Sequence, residues 1–133
     1  MIMKQELKVG IKGERSLTVT EKYTASAVGS GMLPVFSTPS LIALMENTCA
    51  SSVAGALDDG YGTVGISLDV RHTSATPVGA EVRCESELVE IDRRRLVFSV
   101  AAYDAAGEIG TGKHERFIIN NDSFMKKVSE KLG

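Results

Sequence analysis

Between Lys22 and Asp58 the chain carries a single charge, Glu46, and this stretch constrains the fold more than any other. Its centre begins Val35-Phe36-Ser37-Thr38-Pro39, a helix-start signal. Thr38 can cap free backbone N–H groups there, and Pro39 suits the first helical position. Leu41, Ile42, Leu44, Met45 and Cys49 follow, with alanines between them and on to Ala56. The spacing predicts a helix from about Pro39 to Leu57, stopped at Asp58-Asp59-Gly60. A helix that is apolar nearly all round is expected to be buried. Glu46 interrupts it: the residues three and four positions away are Ala43, Cys49, Ile42 and Ala50. An ionised carboxylate in that setting is costly unless something pairs with it. The local pattern leaves two readings open, a glutamate at the helix edge facing solvent and a buried acid with a function.

Before this helix, residues 1–13 are expected to be a frayed or edge segment. Ser16 to Tyr23 alternates, with Leu17, Val19 and Tyr23 on one face, which predicts a strand. Ala25 to Pro34 is small and contains glycine, as expected of a loop over the helix start. After the helix the pattern is sheet. Thr63 to Thr73 places Val64, Ile66, Leu68 and Val70 on one face, and Ala80 to Leu88 alternates in the same way. Arg94 to Tyr103 and Glu108 to Ile119 complete four strands, with a turn at Asp104-Ala105-Ala106-Gly107. Asn121 to Leu132 reads as a short charged helix or a tail. One sheet cannot cover a helix that is apolar on every side. The expected solution is an α+β hot-dog fold, a curved antiparallel sheet around one long helix, with a second copy closing the remaining side.

A length of 133 residues suits one domain, spanning 1–133. Net charge is −2 and the only basic run is Arg93-Arg94-Arg95, read as a solvated turn, so no nucleic-acid partner is expected. Two cysteines without ligand spacing and two histidines argue against a metal site, and no cofactor is implied. Apolar free thiols and an amino end without a signal-peptide core fit a cytoplasmic protein. The uncharged run from Tyr23 to Met45 is too polar and broken to span a membrane.

His72 continues the face of Val64, Ile66, Leu68 and Val70, because strand side chains alternate with period two. Alone, it would be read as a core histidine satisfied by a backbone carbonyl. Together with Glu46 it makes one ionisable group on the helix and one on a strand, each among apolar neighbours. Such a pair can work as a base and its orienting group. Thr38 offers a hydroxyl, but eight residues of helix separate it from Glu46 by roughly 12 Å along the axis and about 80° around it. Its plain role as a cap stands beside a catalytic one.

Val35-Phe36-Ser37-Thr38, Leu44-Met45-Glu46, His72-Thr73-Ser74-Ala75-Thr76-Pro77-Val78-Gly79 and Gly110-Thr111-Gly112-Lys113-His114-Glu115-Arg116 occur in that order. Together they resemble the fluoroacetyl-CoA thioesterase family of hot-dog proteins, over roughly residues 5 to 125. The resemblance implies hydrolysis of a small acyl-CoA thioester by a threonine, a glutamate and a histidine, matched here by Thr38, Glu46 and His72. It implies that a glycine, Gly65, approaches the thioester carbonyl through its backbone. Val35 and Phe36 are candidates to line the acyl pocket, and a homodimer with an acyl-CoA substrate is expected. Arg71, Arg93 and Lys113 are candidates for the nucleotide phosphates. One departure concerns the lid: the resemblance implies, for the fluoroacetyl-specific member, a longer, aromatic- and proline-rich lid where this chain has the short Ala25–Pro34. A non-catalytic acyl-CoA binding module on the same fold is the alternative, and it has no need of Glu46 with His72. A hydratase would also use an acid–base pair, but the residues match the thioesterase positions.

Overall fold

The computed structural model describes residues 5–133, so the expectation for residues 1–4 lies outside the described residues. The chain forms strand β1 (Lys12–Thr18), a 3-10 turn (Glu21–Tyr23), a single helical turn α1 (Ala25–Val28) and the long helix α2 (Thr38–Ala54). Strands β2 (Tyr61–His72), β3 (Glu81–Asp92), β4 (Arg95–Asp104) and β5 (Gly107–Asn120) follow, then helix α3 (Asn121–Glu130). The strands make one antiparallel sheet in the order β1-β3-β4-β5-β2, and α2 lies across it in contact with all five.

Three expectations for the helix region need correction. The first strand is Lys12–Thr18, earlier than Ser16 to Tyr23, because the chain turns at Glu21–Tyr23 before it reaches α1. Ser37, not Thr38, caps α2: its side chain accepts from the Ser40 N–H, which makes Thr38 the first helical residue and Pro39 the second. The helix stops at Ala54, ahead of Gly60, with Gly55 at its carboxyl end.

The seat of α2 comes from burial. Leu41, Leu44, Met45 and Val53 are buried against the sheet beside Leu88, Leu96, Phe98 and Ile109. Each such side chain contributes about 1.5–3 kcal/mol, more together than the cap's roughly 1 kcal/mol. The opposite face, Ala43, Asn47 and Ala54, is exposed in the single chain. Cys49 and Cys84 are buried in the core, where burial pushes the Cys49 thiol up to about 12 and raises Cys84 as well. These are packing residues.

Strand β2 departs from simple alternation. Its register with β5 shifts between Gly65 and Ser67, a bulge that leaves Ile66 unpaired. Directly paired residues share a face, so Gly65 opposite Arg116 and Leu68 opposite His114 both face inward. His72, Val70 and Leu68 therefore continue the row of Gly65 and Thr63, and Val64 points the other way. The expected single face from Val64 to His72 is broken by this one extra residue.

Beyond the bulge, β2 and β5 approach closely at Gly110 and Gly112. A Cβ on Gly112 would lie 2.3 Å from the Asp69 carbonyl oxygen and 2.7 Å from Val70 Cα. Gly112→Ala is expected to cost about 3 kcal/mol through overpacking. Gly31→Ala, whose added carbon meets only Ala25 Cβ at 3.4 Å, should be nearly neutral. Urea denaturation of the two variants measures the difference.

Candidate active site

The first helical turn of α2 and the end of β2 bring Thr38 and His72 together, with Thr38 Oγ1 2.8 Å from His72 Nδ1. Phe36 lies edge-on to the imidazole, its ring centroid 6.4 Å away. Val35, Phe36, Thr38, His72, Thr73 and Ser74 line a cavity of about 280 Å3. A cavity of about 330 Å3 on the other flank of α2, walled by Arg15, Tyr23, Leu44 and Asn47, has no comparable pair of reactive groups. Chemistry selects the smaller one.

Glu46 lies two turns further along α2, against different neighbours. Its Oε2 is 3.7 Å from Arg116 Nη1, and its side chain is 40% exposed against 9% for the arginine. Gly65 faces the same point: a Cβ there would lie 2.9 Å from Glu46 Oε2, 3.2 Å from His114 Cε1 and 3.3 Å from Arg116 Nη1. Glycine leaves that space free. Among the described residues no hydrogen bond or ion pair joins Glu46 to His72. Gly65 and His72 stand seven residues apart on β2, about 20 Å of strand.

Two functional candidates escaped the sequence reading as individual residues, His114 and Arg116. Arg116 Nε and Nη2 donate to the Thr63 hydroxyl at 2.8 Å and the Thr63 carbonyl at 2.9 Å. Nη1 donates to His114 Nε2 at 3.1 Å, so His114 carries its proton on Nδ1 and donates it to the Ser67 carbonyl at 2.8 Å. Their signal was an inward period-two row, Gly110, Gly112, His114 and Arg116, in which two polar groups occupy core positions. Of the candidate phosphate ligands, Arg71 and Lys113 are diagonal neighbours on one face of the paired strands β2 and β5, Arg71 opposite Thr111 and Lys113 opposite Asp69. Arg93 occupies the β3–β4 turn with φ 59°.

Burial lowers the pKa of both histidines from the ordinary 6.5. A backbone hydrogen bond with Ser74 opposes this at His72, and one with Ser67 opposes it at His114. His72 Nε2 has no hydrogen-bond partner within the chain. Burial also lowers Arg116, with Glu46 opposing.

One antiparallel sheet around a long helix, with polar groups along the strand that faces it, defines the hot-dog class. The chain is 25% identical to a hot-dog-like protein from Thermanaerovibrio acidaminovorans, with a TM-score of 0.87 over 94% of this chain and 93% of that one. More specifically, it belongs to the fluoroacetyl-CoA-specific thioesterase family, whose model matches residues 19–122. It is 39% identical over 114 residues to the fluoroacetyl-CoA thioesterase of Streptantibioticus cattleyicolor, covering 86% of this chain and 82% of the relative. The solved structure of the fluoroacetyl-CoA thioesterase FlK superposes with a TM-score of 0.90 at 33% identity, covering 96% of this chain and 98% of that chain.

The two lowered histidines give stability a pH dependence with a definite sign. The unfolded rings take up protons near 6.5, the folded rings only at lower pH. Stability is therefore full above about 6.5 and declines as pH falls from there through the folded values. The urea midpoint should drop between about pH 7 and about pH 5, and the drop should shrink in His114→Gln.

Proposed function

We propose that this chain hydrolyses the thioester of a small acyl-CoA at a site completed by a second copy of itself. The observation that carries the reading is the contact of Thr38 Oγ1 with His72 Nδ1, 2.8 Å apart in a cavity lined by Val35 and Phe36. A module that only held acyl-CoA has no use for a hydroxyl set against a half-buried imidazole whose pKa is lowered by burial.

His72 takes the Thr38 proton as Oγ1 adds to the thioester carbonyl carbon. The carbonyl oxygen becomes an oxyanion, met by a backbone N–H near Gly65, where the missing side chain allows close approach. The C–S bond breaks, and the CoA thiolate leaves with the proton from His72. Water then adds to the Thr38 ester with the Glu46 carboxylate as its base. The carboxylic acid departs, and Thr38 recovers its proton from Glu46. Arg116, with Nη1 3.7 Å from Oε2, holds Glu46 in place.

The second copy enters because one chain holds the two halves apart. β2 is an edge strand of 12 residues, with Tyr61, Ile66 and Leu68 exposed at 38%, 52% and 39%. A long apolar edge of this kind calls for cover. Antiparallel pairing of β2 with β2 of a second copy, about a two-fold axis near Leu68, reverses one strand on the other. Thr38 and His72 of one copy then approach Gly65 and Glu46 of the other.

Complementation tests this. Glu46→Gln and His72→Ala should each lower kcat by about 10²–10⁴ while folding is retained. Unfolded together and refolded, they form mixed dimers in which one of two sites is intact. Statistical mixing then restores about one-quarter of parental activity. A site built within one chain restores none.

The lid sets the selectivity. Ala25–Pro34, shorter than the lid that the resemblance implies for the fluoroacetyl-specific enzyme, is a single helical turn followed by the exposed Met32 and Leu33. With so little surface over the acyl group, the kcat/KM values for fluoroacetyl-CoA and acetyl-CoA should lie within about tenfold of each other. A large preference for the fluorinated substrate would show that the short lid suffices for selectivity.

A further inference from the structure

Thr76 has no exposed surface, yet it carries a hydroxyl and lies in the loop between β2 and β3, outside the lining of the Thr38–His72 cavity. Its Oγ1 donates to Asp104 Oδ2 at 2.8 Å, and Asp104 Oδ1 accepts from the Ala106 N–H at 2.9 Å. Asp104 ends β4 and pairs with Gly107 across the β4–β5 turn, so the carboxylate is fixed by the sheet. The backbone of Thr76 faces the other way, and its carbonyl accepts from the Phe36 N–H at 2.9 Å. Val35 and Pro77 form an adjoining bridge. Phe36 is buried, lies edge-on to His72 and precedes Ser37, the cap of α2, and Thr38. One side chain thus ties the start of the reactive helix to a hairpin formed by distant strands.

We infer that Asp104 and Thr76 are positioning residues, a buried strut that holds Phe36 and the first turn of α2 so that the Thr38 hydroxyl meets the His72 imidazole. This rests on the role proposed for Thr38 and His72, but the strut can be tested apart from that role. Neither residue lines the Thr38–His72 cavity, so the strut acts on geometry and not on substrate binding. A base that drifts from its hydroxyl loses rate steeply, because proton transfer needs hydrogen-bond reach.

The experiment uses Thr76→Val, Asp104→Ala, the double variant and Thr76→Ser, with two readouts. Steady-state acyl-CoA hydrolysis separates kcat from KM. Proton NMR follows the His72 ring resonance, assigned by its loss in His72→Gln. The strut predicts that Thr76→Val and Asp104→Ala each lower kcat about tenfold with KM little changed, and that the double variant is no worse than either. Both should move the His72 resonance, and Thr76→Ser, which restores the hydroxyl, should return both readouts to parental values. Folded variants with an unmoved His72 resonance and parental kcat would overturn it. So would a loss that merely follows the unfolded fraction measured by circular dichroism and is as large in Thr76→Ser. If the parent itself hydrolyses no acyl-CoA, the functional reading fails. The His72 resonance then decides on the strut alone.

Discussion

The polar cluster beside Glu46 depends on one carbonyl, that of Ser67. Regular pairing would spend it within the sheet, but the bulge at Ile66 presents it to His114 Nδ1, which donates to it at 2.8 Å. That bond sets the tautomer, leaving Nε2 to accept from Arg116, and Arg116 is clamped from its other side by Thr63. The guanidinium is thereby nearly buried with most of its donors engaged, and its remaining charge falls on Glu46. Taking an arginine out of water is costly, and only a connected set of acceptors makes it tolerable. Here Thr63 on β2, His114 on β5 and Glu46 on α2 supply the acceptors for an arginine from β5.

The same bulge decides what His72 faces. An unbroken strand would put His72 and Gly65, seven positions apart, on opposite sides of the sheet. The extra residue returns them to the same side, one at each end of the inner row of β2. Thr38–His72 and Glu46–Arg116 then form two half-sites along one strand, separated by more than any side chain can span. In the proposed dimer, two-fold symmetry turns this separation into proximity, since a reversed copy of the strand exchanges its ends. The exposed apolar edge of β2 and the uncovered face of α2 supply the reason for a second copy to bind there.

The neutral state of the imidazole follows from the same packing. Phe36 lies edge-on to His72, and partial burial disfavours the charged imidazolium. A base held neutral against a hydroxyl is ready to accept a proton. The route that fixes Phe36, through Thr76 to Asp104, runs to the end of the central strand β4, whereas Ser67 lies on the edge strand β2. The two half-sites are thus braced by different parts of the fold.

The sequence by itself determined the long apolar helix, the run of antiparallel strands after it and the presence of Glu46, His72 and Thr38 as polar groups in apolar settings. These follow from periodicity and composition, which act over a few residues and need no distant partner. It also carried the order of motifs that marks the family. The tertiary structure decided what those groups touch. Thr38 meets His72 because a strand end is laid over the helix start, and Glu46 meets Arg116 because β5 passes beneath α2. The bulge was illegible because Gly65-Ile66-Ser67 alternates as well as any regular strand. Only pairing with β5 shows which residue is left over. His114 and Arg116 were hidden for a related reason: whether a polar residue in a strand faces water or the core depends on register, and register is a property of two strands.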